Sequence, residues 1–272
     1  MIELDKKALR DLQMIQLELL IEVDRICKKC EINYNIIAGT LLGAVRHGGY
    51  IPWDDDADVA FLRPEYEKFR EACKMDLDTS RFYFQDHRNT EGYRWGYGKL
   101  RRKDTVFLRE HQAHMPYEQG VFIDIFPLEG VPDNYLKRSW HNFHCFCIRK
   151  VLWSEVGRIA DKNFFMRKWY LLLSKIPRKI IFEHYQSLVQ ASNLEKTNMV
   201  RILLFPTPNK EYGYYRKWYE ESTDIEFEKN FFRGIKDYKE YLSFKFGDFM
   251  KLPPIEQRKV HPVTDLKLLE SR

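Results

Sequence analysis

The sequence predicts an α+β fold: a small mixed sheet carrying three acids, flanked by helices, with a helical insertion after Gly130. Three observations carry this. Asp56-Ala57-Asp58-Val59-Ala60-Phe61-Leu62 drives two carboxylates into an apolar strand. Val121-Phe122-Ile123-Asp124-Ile125-Phe126 is a second apolar strand with a single acid in it. Helical periodicity governs Leu4 to Cys30, and the aromatic stretch Asn134 to Leu194 reads as mainly helical. Three segments follow from this: 1–130 as the catalytic core, 131–222 as a helical insertion, and 223–272 as a segment packing back on the core.

Composition narrows the class. A chain of 272 residues, 44% apolar and 31% charged, is expected to be a soluble globular protein. The net charge of +5 favours an anionic ligand or surface but is too small to imply nucleic acid, and no nucleic-acid partner is expected. The cysteine count is 5 with no framework spacing, which points to a reduced, cytoplasmic protein. No apolar run is long enough to span a bilayer, and the charged start MIELDKKALRDL is unlike a signal peptide.

Taken in order, Leu12, Ile15, Leu19, Val23, Ile26 and Cys30 form one helical stripe, and Cys27 and Cys30 within it read as buried core residues. Asn33 to Ala38 is the expected first strand. Gly39-Thr40 turns the chain, and Leu41 to Arg46 makes a short helix whose first N–H groups are available to a phosphate. Gly39 and Gly43 allow close approach. Arg46 and His47 are candidate phosphate contacts. Gly48-Gly49 turns again, and Tyr50 to Trp53 anchors the loop that delivers Asp54, Asp55, Asp56 and Asp58.

Residues two apart on a strand face the same way, so Asp56 and Asp58 share a face, joined by Asp54 if the chain is already extended there. Carboxylates held that close repel unless a cation sits between them. Oxygen ligands beside a phosphate suit Mg²⁺ or Mn²⁺ better than zinc. Asp124 is costly to bury alone. The economical placement sets it against Asp56 and Asp58 on a neighbouring strand, as metal ligand or as base for an incoming hydroxyl. Asp54, Asp56, Asp58 and Asp124 are therefore the candidate metal ligands, with Asp56, Asp58 and Asp124 catalytic.

Beyond the loop, Pro64 to Met75 is a helix and Phe82 to Gln85 a strand. Tyr97 to Arg102 and Thr105 to Glu110 suggest a hairpin turning at Lys103-Asp104. Lys99 and Arg101 share one side of it, which is either the cleft, making them phosphate ligands, or the exposed face. In the insertion, His141, His144 and Cys145 lie on one helical face, a permissible but secondary zinc arrangement. Between Arg158 and Lys179, bases interleave with aromatics, so 158–182 is either a core-facing amphipathic pair or a peripheral membrane contact at the inner face. Met199 to Phe205 reads as a strand ending at Pro206-Thr207-Pro208. Thr223 to Phe227 with Phe231-Phe232 suggests a hairpin, and Lys236 to Phe246 a helix.

GTLLGAVRHGGYIPWDDDADV, from Gly39 to Val59, resembles the signature of the LicD family of phosphocholine transferases, to which the fukutin-related proteins are related. That family has a nucleotidyltransferase-like fold. GVFIDIFPLEG resembles the family's second acidic strand, and YLSFKFGDFMKLPP with Arg258 and His261 its C-terminal motif. The likeness covers about Ile15 to Gly130 and Asp237 to His261. It implies that Gly39, Thr40, Gly43, Arg46, His47, Lys99 and Arg101 hold the nucleotide or its phosphates, with Asp248, Arg258 and His261 in support. It further implies metal-dependent transfer of phosphocholine, or a related phospho-alcohol, from CDP-choline or another CDP-alcohol. The acceptor would be a sugar of a cell-surface glycan, such as lipopolysaccharide or teichoic acid, or its lipid-linked precursor. The alternative is an NTP-dependent nucleotidyltransferase of small molecules. A third reading, a glycan- or membrane-binding protein without catalysis, fits poorly with Asp56, Asp58 and Asp124 together. A choline site would want an aromatic cage, with Tyr93, Trp95, Tyr97 and Tyr117 as candidates.

Overall fold

In the computed structural model, residues 2, 4–207 and 212–269 are described; Pro208, at the expected end of a strand, lies outside them. The chain opens with α1 (Lys6–Lys29), started by Asp5, whose carboxylate accepts from the Ala8 N–H at 2.7 Å. Then come β1 (Asn35–Ile36), α2 (Ala38–His47), β2 (Asp58–Leu62), α3 (Arg63–Asp76), β3 (Phe82–Gln85), β4 (Gly98–Arg102), β5 (Val106–Arg109) and the long β6 (Phe122–Val131). Three helices follow: α4 (Tyr135–Ala160), α5 (Phe164–Leu173) and α6 (Arg178–Ser192). The chain closes with β7 (Met199–Arg201), β8 (Tyr214–Tyr215), α7 (Lys217–Glu220), β9 (Ser222–Phe227), β10 (Asn230–Ile235), α8 (Tyr238–Phe246) and β11 (Val263–Lys267).

The fold is α+β. Nine strands form one mixed, open sheet in the order β3-β4-β6-β2-β1-β10-β9, with β7 added on β6 and β8 on β7. The β2–β6 and β1–β10 pairs are parallel and the others antiparallel. β2 and β6 are thus central and read as apolar runs, as strands covered on both faces must. α1 supplies a wholly buried stripe, including Leu12, Leu19, Leu20, Val23 and Ile26, to the main core. A second, smaller apolar cluster joins α4 to α6 around Cys145, Ile148, Leu152, Ile181 and Tyr185.

Several boundaries differ from expectation. α2 begins at Ala38 rather than Leu41, so Gly39 and Thr40 stand in its first turn. Only Met199–Arg201 of the expected 199–205 strand pairs. The Tyr97–Glu110 hairpin does not form. At Lys103-Asp104 the chain enters a left-handed conformation, with Asp104 at φ 62°, and parts from itself. β4 instead joins β3 and β6, while β5 pairs with β11 from the far end of the chain. The β9–β10 hairpin does form, turning through Glu228 and Lys229, both at positive φ.

Candidate active site

The acid loop is held in place from behind by α1. Gln13 Nε2 donates to the Asp54 carbonyl at 2.9 Å, and Gln16 Nε2 to the Asp55 carbonyl at 2.9 Å and the Phe122 carbonyl at 3.2 Å. Two buried amides on an apolar stripe thereby tie the loop to the start of β6. Neither was singled out in the sequence; the signal was two glutamines at core-facing positions. The turn of the β9–β10 hairpin holds the other side. Glu228 accepts from Arg10 and from the Tyr50 N–H at 3.1 Å, and its own N–H donates to the Gly48 carbonyl.

Between these supports, burial alternates along the loop. Asp54, Asp56 and Asp58 are partly exposed, whereas Asp55, Ala57 and Val59 are buried. The expected shared face for Asp54, Asp56 and Asp58 is therefore present. Asp58 is the register partner of Asp124 on the parallel neighbour β6, and Asp124 that of Lys99 on antiparallel β4. The result is a row across three strands, Lys99–Asp124–Asp58, in which Lys99 ion-pairs with Asp124. Thr40 fixes one end of the row, its Oγ1 accepting from the Asp58 N–H at 2.8 Å. Gly39 lies so close to the acids that a Cβ there would come within 2.6 Å of Asp54 Oδ2.

The electrostatics follow from this crowding. Burial, then the charges of Asp56 and Asp55, push the Asp54 carboxyl up to about 8. Burial and the Asp55 charge raise Asp56. Asp58 is raised well above the usual range by burial and by Asp56, Asp124 and Asp54, with Lys245 opposing. Lys99, buried and beside Asp124, falls to about 8 because desolvation outweighs the pairing. A cluster whose members are each penalised for being charged is one that a divalent cation would relieve.

Asp55 behaves differently because it points the other way. Its Oδ1 lies 2.7 Å from His261 Nδ1 and its Oδ2 pairs with Arg109. Burial would raise this carboxyl, but His261 and Arg109 outweigh burial and hold it below the ordinary range. Oxygens or nitrogens of Asp55, Asp56 and His261 lie within 4.8 Å of one another, a grouping consistent with a divalent metal that does not identify it. Since both Asp55 oxygens are already engaged, by His261 and by Arg109, its main effect is to position His261, whose pKa it raises, beside Asp56. In the sequence, alternation put Asp54, Asp56 and Asp58 on one face and left Asp55 without a role, because its partners Arg109 and His261 lie far along the chain.

Two cavities meet at the row. The smaller, about 190 Å³, is bounded by Ala38 at the start of α2, Asp56, Asp58, Asp124, Lys245 and three tyrosines, Tyr214, Tyr219 and Tyr241. The larger, about 640 Å³, has Asp56 and Asp124 in its wall, with the cations Lys99, Arg101, Arg109, Arg149 and Lys150 and the aromatics Trp95, Tyr97 and Trp153. Lys99 and Arg101 thus face the cleft rather than solvent, although Arg101 is also tied to Gln85 Oε1 and the Gly120 carbonyl, both at 2.7 Å. Of the four cage candidates, Trp95 and Tyr97 line this cavity, while Tyr93 and Tyr117 pack edge-on against each other at 5.3 Å without lining it. Lys245 was not singled out in the sequence, where it is one basic residue of a helix.

Other candidates stand elsewhere. Arg46 and His47 are at the far end of α2, roughly 12–14 Å along the helix from Ala38, and line neither cavity. Arg46 donates to the Phe249 carbonyl at 2.9 Å and so clasps the C-terminal segment. A Cβ on Gly43 would meet the Gly49 carbonyl at 2.4 Å, so that glycine serves the packing of α2 on its own loop. Arg258 lies over the Trp53 ring at 4.8 Å, and Asp248 is exposed after α8. The zinc arrangement does not assemble: His141 is buried against Ser192 and Cys145, whereas His144 turns to the exposed His184 at 2.8 Å.

The open mixed sheet and its flanking helices are consistent with a nucleotidyltransferase-like fold. Residues 31–153 match the family described as the LicD/FKTN/FKRP nucleotidyltransferase domain, so the chain carries a LicD-family domain. Across 97% of its length the chain is 27% identical to the lipopolysaccharide cholinephosphotransferase LicD of Haemophilus influenzae, covering 99% of that protein. Shorter likenesses link it to uncharacterised proteins of Rickettsia typhi, 39% identical over 25% of this chain and 20% of that one, and of Rickettsia prowazekii, 42% identical over 22% and 21%.

Proposed function

We propose that the protein transfers phosphocholine, or a closely related phospho-alcohol, from a CDP-alcohol to a sugar of a cell-surface glycan or its lipid-linked precursor. The observation that carries this reading is the Lys99–Asp124–Asp58 row at the meeting of two cavities, in a chain that parallels a lipopolysaccharide cholinephosphotransferase along nearly its whole length. Burial and repulsion among Asp54, Asp56, Asp58 and Asp124 raise the first three of these carboxyls, a repulsion that a divalent cation would relieve, and Asp56 is also one of the three residues, with Asp55 and His261, whose ligand atoms lie within 4.8 Å of one another. When bound, Mg²⁺ or Mn²⁺ would neutralise charge on the phosphate oxygens.

The smaller cavity suits the phosphates. The first turn of α2 and the Lys245 ammonium both favour negative charge there. The larger cavity suits the organic parts of the substrates, with aromatic walls for a base or head group and cations for the remaining phosphate. The acceptor hydroxyl oxygen forms the new bond to the phosphorus bearing the alcohol. The bond from that phosphorus to the bridging oxygen breaks, and CMP leaves with the electron pair. In this reading Asp124 serves as metal ligand or takes the hydroxyl proton, and its ion-pair partner Lys99 stands beside the developing charge.

Two measurements test this. Calorimetric titration with CDP-choline, CDP-ribitol, CDP and ATP, each with and without Mg²⁺, should show one CDP-alcohol binding more tightly than CDP and only with the metal. Binding of ATP without response to any cytidine compound, or release of pyrophosphate rather than CMP, would overturn the donor assignment. Asp58→Asn should reduce turnover at least ~1000-fold with circular dichroism and melting preserved. A folded Asp58→Asn protein with full activity would remove Asp58 from the site.

A further inference from the structure

We infer that the outer face of α5, with its flanking basic residues, docks on an anionic lipid surface. A helix on the surface of a globular protein normally turns its apolar stripe inward. α5 does the reverse. Tyr170 is its one buried residue, set against Gly157 and donor Lys150 of α4. The opposite face exposes Phe164 (57%), Phe165 (79%) and Leu172 (58%), with Leu171 and Trp169 at its margins. These side chains have no counterpart in the core, and leaving them in water is unfavourable by the area they expose.

The charge around them selects the occupant. Lys162, Arg167 and Lys175 are exposed around the apolar face, and Lys168, four residues from both Phe164 and Leu172, is exposed upon it, its ammonium over the Phe164 ring at 5.4 Å. From Tyr135 to Ile176 the chain has nine Lys and Arg against Glu155 and Asp161, an excess of seven, larger than the +5 of the whole protein. A second copy presenting the same face would be repelled. An apolar helix face rimmed by Lys and Arg is instead matched by acyl chains beneath anionic head groups. The surface is narrower than the sequence range 158–182. Arg158 pairs with Glu155, Arg178 donates to the Tyr93 carbonyl at 3.0 Å, and Ile181 and Phe182 are buried. Tyr170, Arg149, Lys150 and Trp153 on the inner side of α4 and α5 line the larger cavity, so docking sets that cavity beside the bilayer. The inference does not depend on which CDP-alcohol is the donor.

The experiment is flotation of the full chain with vesicles of phosphatidylcholine alone and of phosphatidylcholine containing phosphatidylglycerol. Retention on the anionic vesicles, lost at high salt, is expected. Phe165→Ser with Leu172→Ser, and separately Lys162→Glu with Lys168→Glu, should each weaken it roughly tenfold or more. All four positions are exposed, so melting should be unchanged. No retention on anionic vesicles would overturn the inference, as would equal retention of both double variants. So would a dimer seen by sedimentation that Phe165→Ser with Leu172→Ser dissociates, since a second copy would then be the occupant.

Discussion

Among the residues of the site, Asp55 separates structure from chemistry most sharply. It is buried and engaged by Arg109 and His261, while its neighbours on either side are partly exposed and Asp56 lines the cleft. Asp55→Asn removes the charge that both partners answer and leaves Arg109 poorly compensated. It should cost about 2–3 kcal/mol of stability in denaturant unfolding. Asp58→Asn, whose acid gains little from its surroundings without a cation, should leave stability unchanged or raised. Equal destabilisation by the two variants would refute this division. The sequence made the carboxylate set legible because acids entering an apolar strand are rare. Alternation set Asp55 apart from Asp54 and Asp56 but could not give its role, since the partners that define it are Arg109 and His261, the latter 206 positions further on. Lys99 and Arg101 illustrate the opposite case. Alternation put both on one side of β4, and only the packing of α4 over that side decided that it was the cleft.

At the level of elements, local pattern located α1, α3, β2, β3 and the β9–β10 hairpin, because each is determined by its own periodicity or turn. It failed where pairing is distant. β5 looks like the return strand of β4, yet it pairs with β11, about 155 residues later, a contact that no local signal encodes. α4 offers an element-scale prediction. His141 is buried against Ser192 and Cys145, and desolvation lowers its pKa to about 4. In the unfolded chain an imidazole titrates near 6.5. Below that value the unfolded state takes up a proton that the folded His141 refuses. Stability therefore falls as pH drops from about 6.5 towards 4 and is unaffected by this group above 6.5. The loss should approach about 2–3 kcal/mol at the low end. Thermal melts of the native protein and of His141→Gln across this range check it: the variant's curve should be flatter between pH 6.5 and 4. Parallel curves would show that His141 protonates freely in the folded protein.

For the molecule as a whole, the site is closed by the chain's last segment, and this was visible in the sequence only through family likeness. Arg46 holds the Phe249 carbonyl, His261 meets Asp55, Val263 is fully buried, and β11 completes a two-stranded sheet with β5. Ile2 bridges to Val263, so the start of the chain is fastened to the same place. None of these contacts belongs to the central sheet. The segment is therefore expected to be a unit of lower local stability laid over a core that persists without it. Truncation after Lys259 removes His261 and β11 while leaving α8 and Lys245 in place. The shortened protein should keep its far-ultraviolet circular dichroism and a cooperative melt, lowered by several degrees. Its affinity for the proposed cytidine donor should fall roughly tenfold or more, because Asp55 and Arg109 lose the partner that orders the cavity wall. Loss of cooperative folding would place the segment within the core unit. Unchanged affinity would show that His261 and β11 take no part in forming the site.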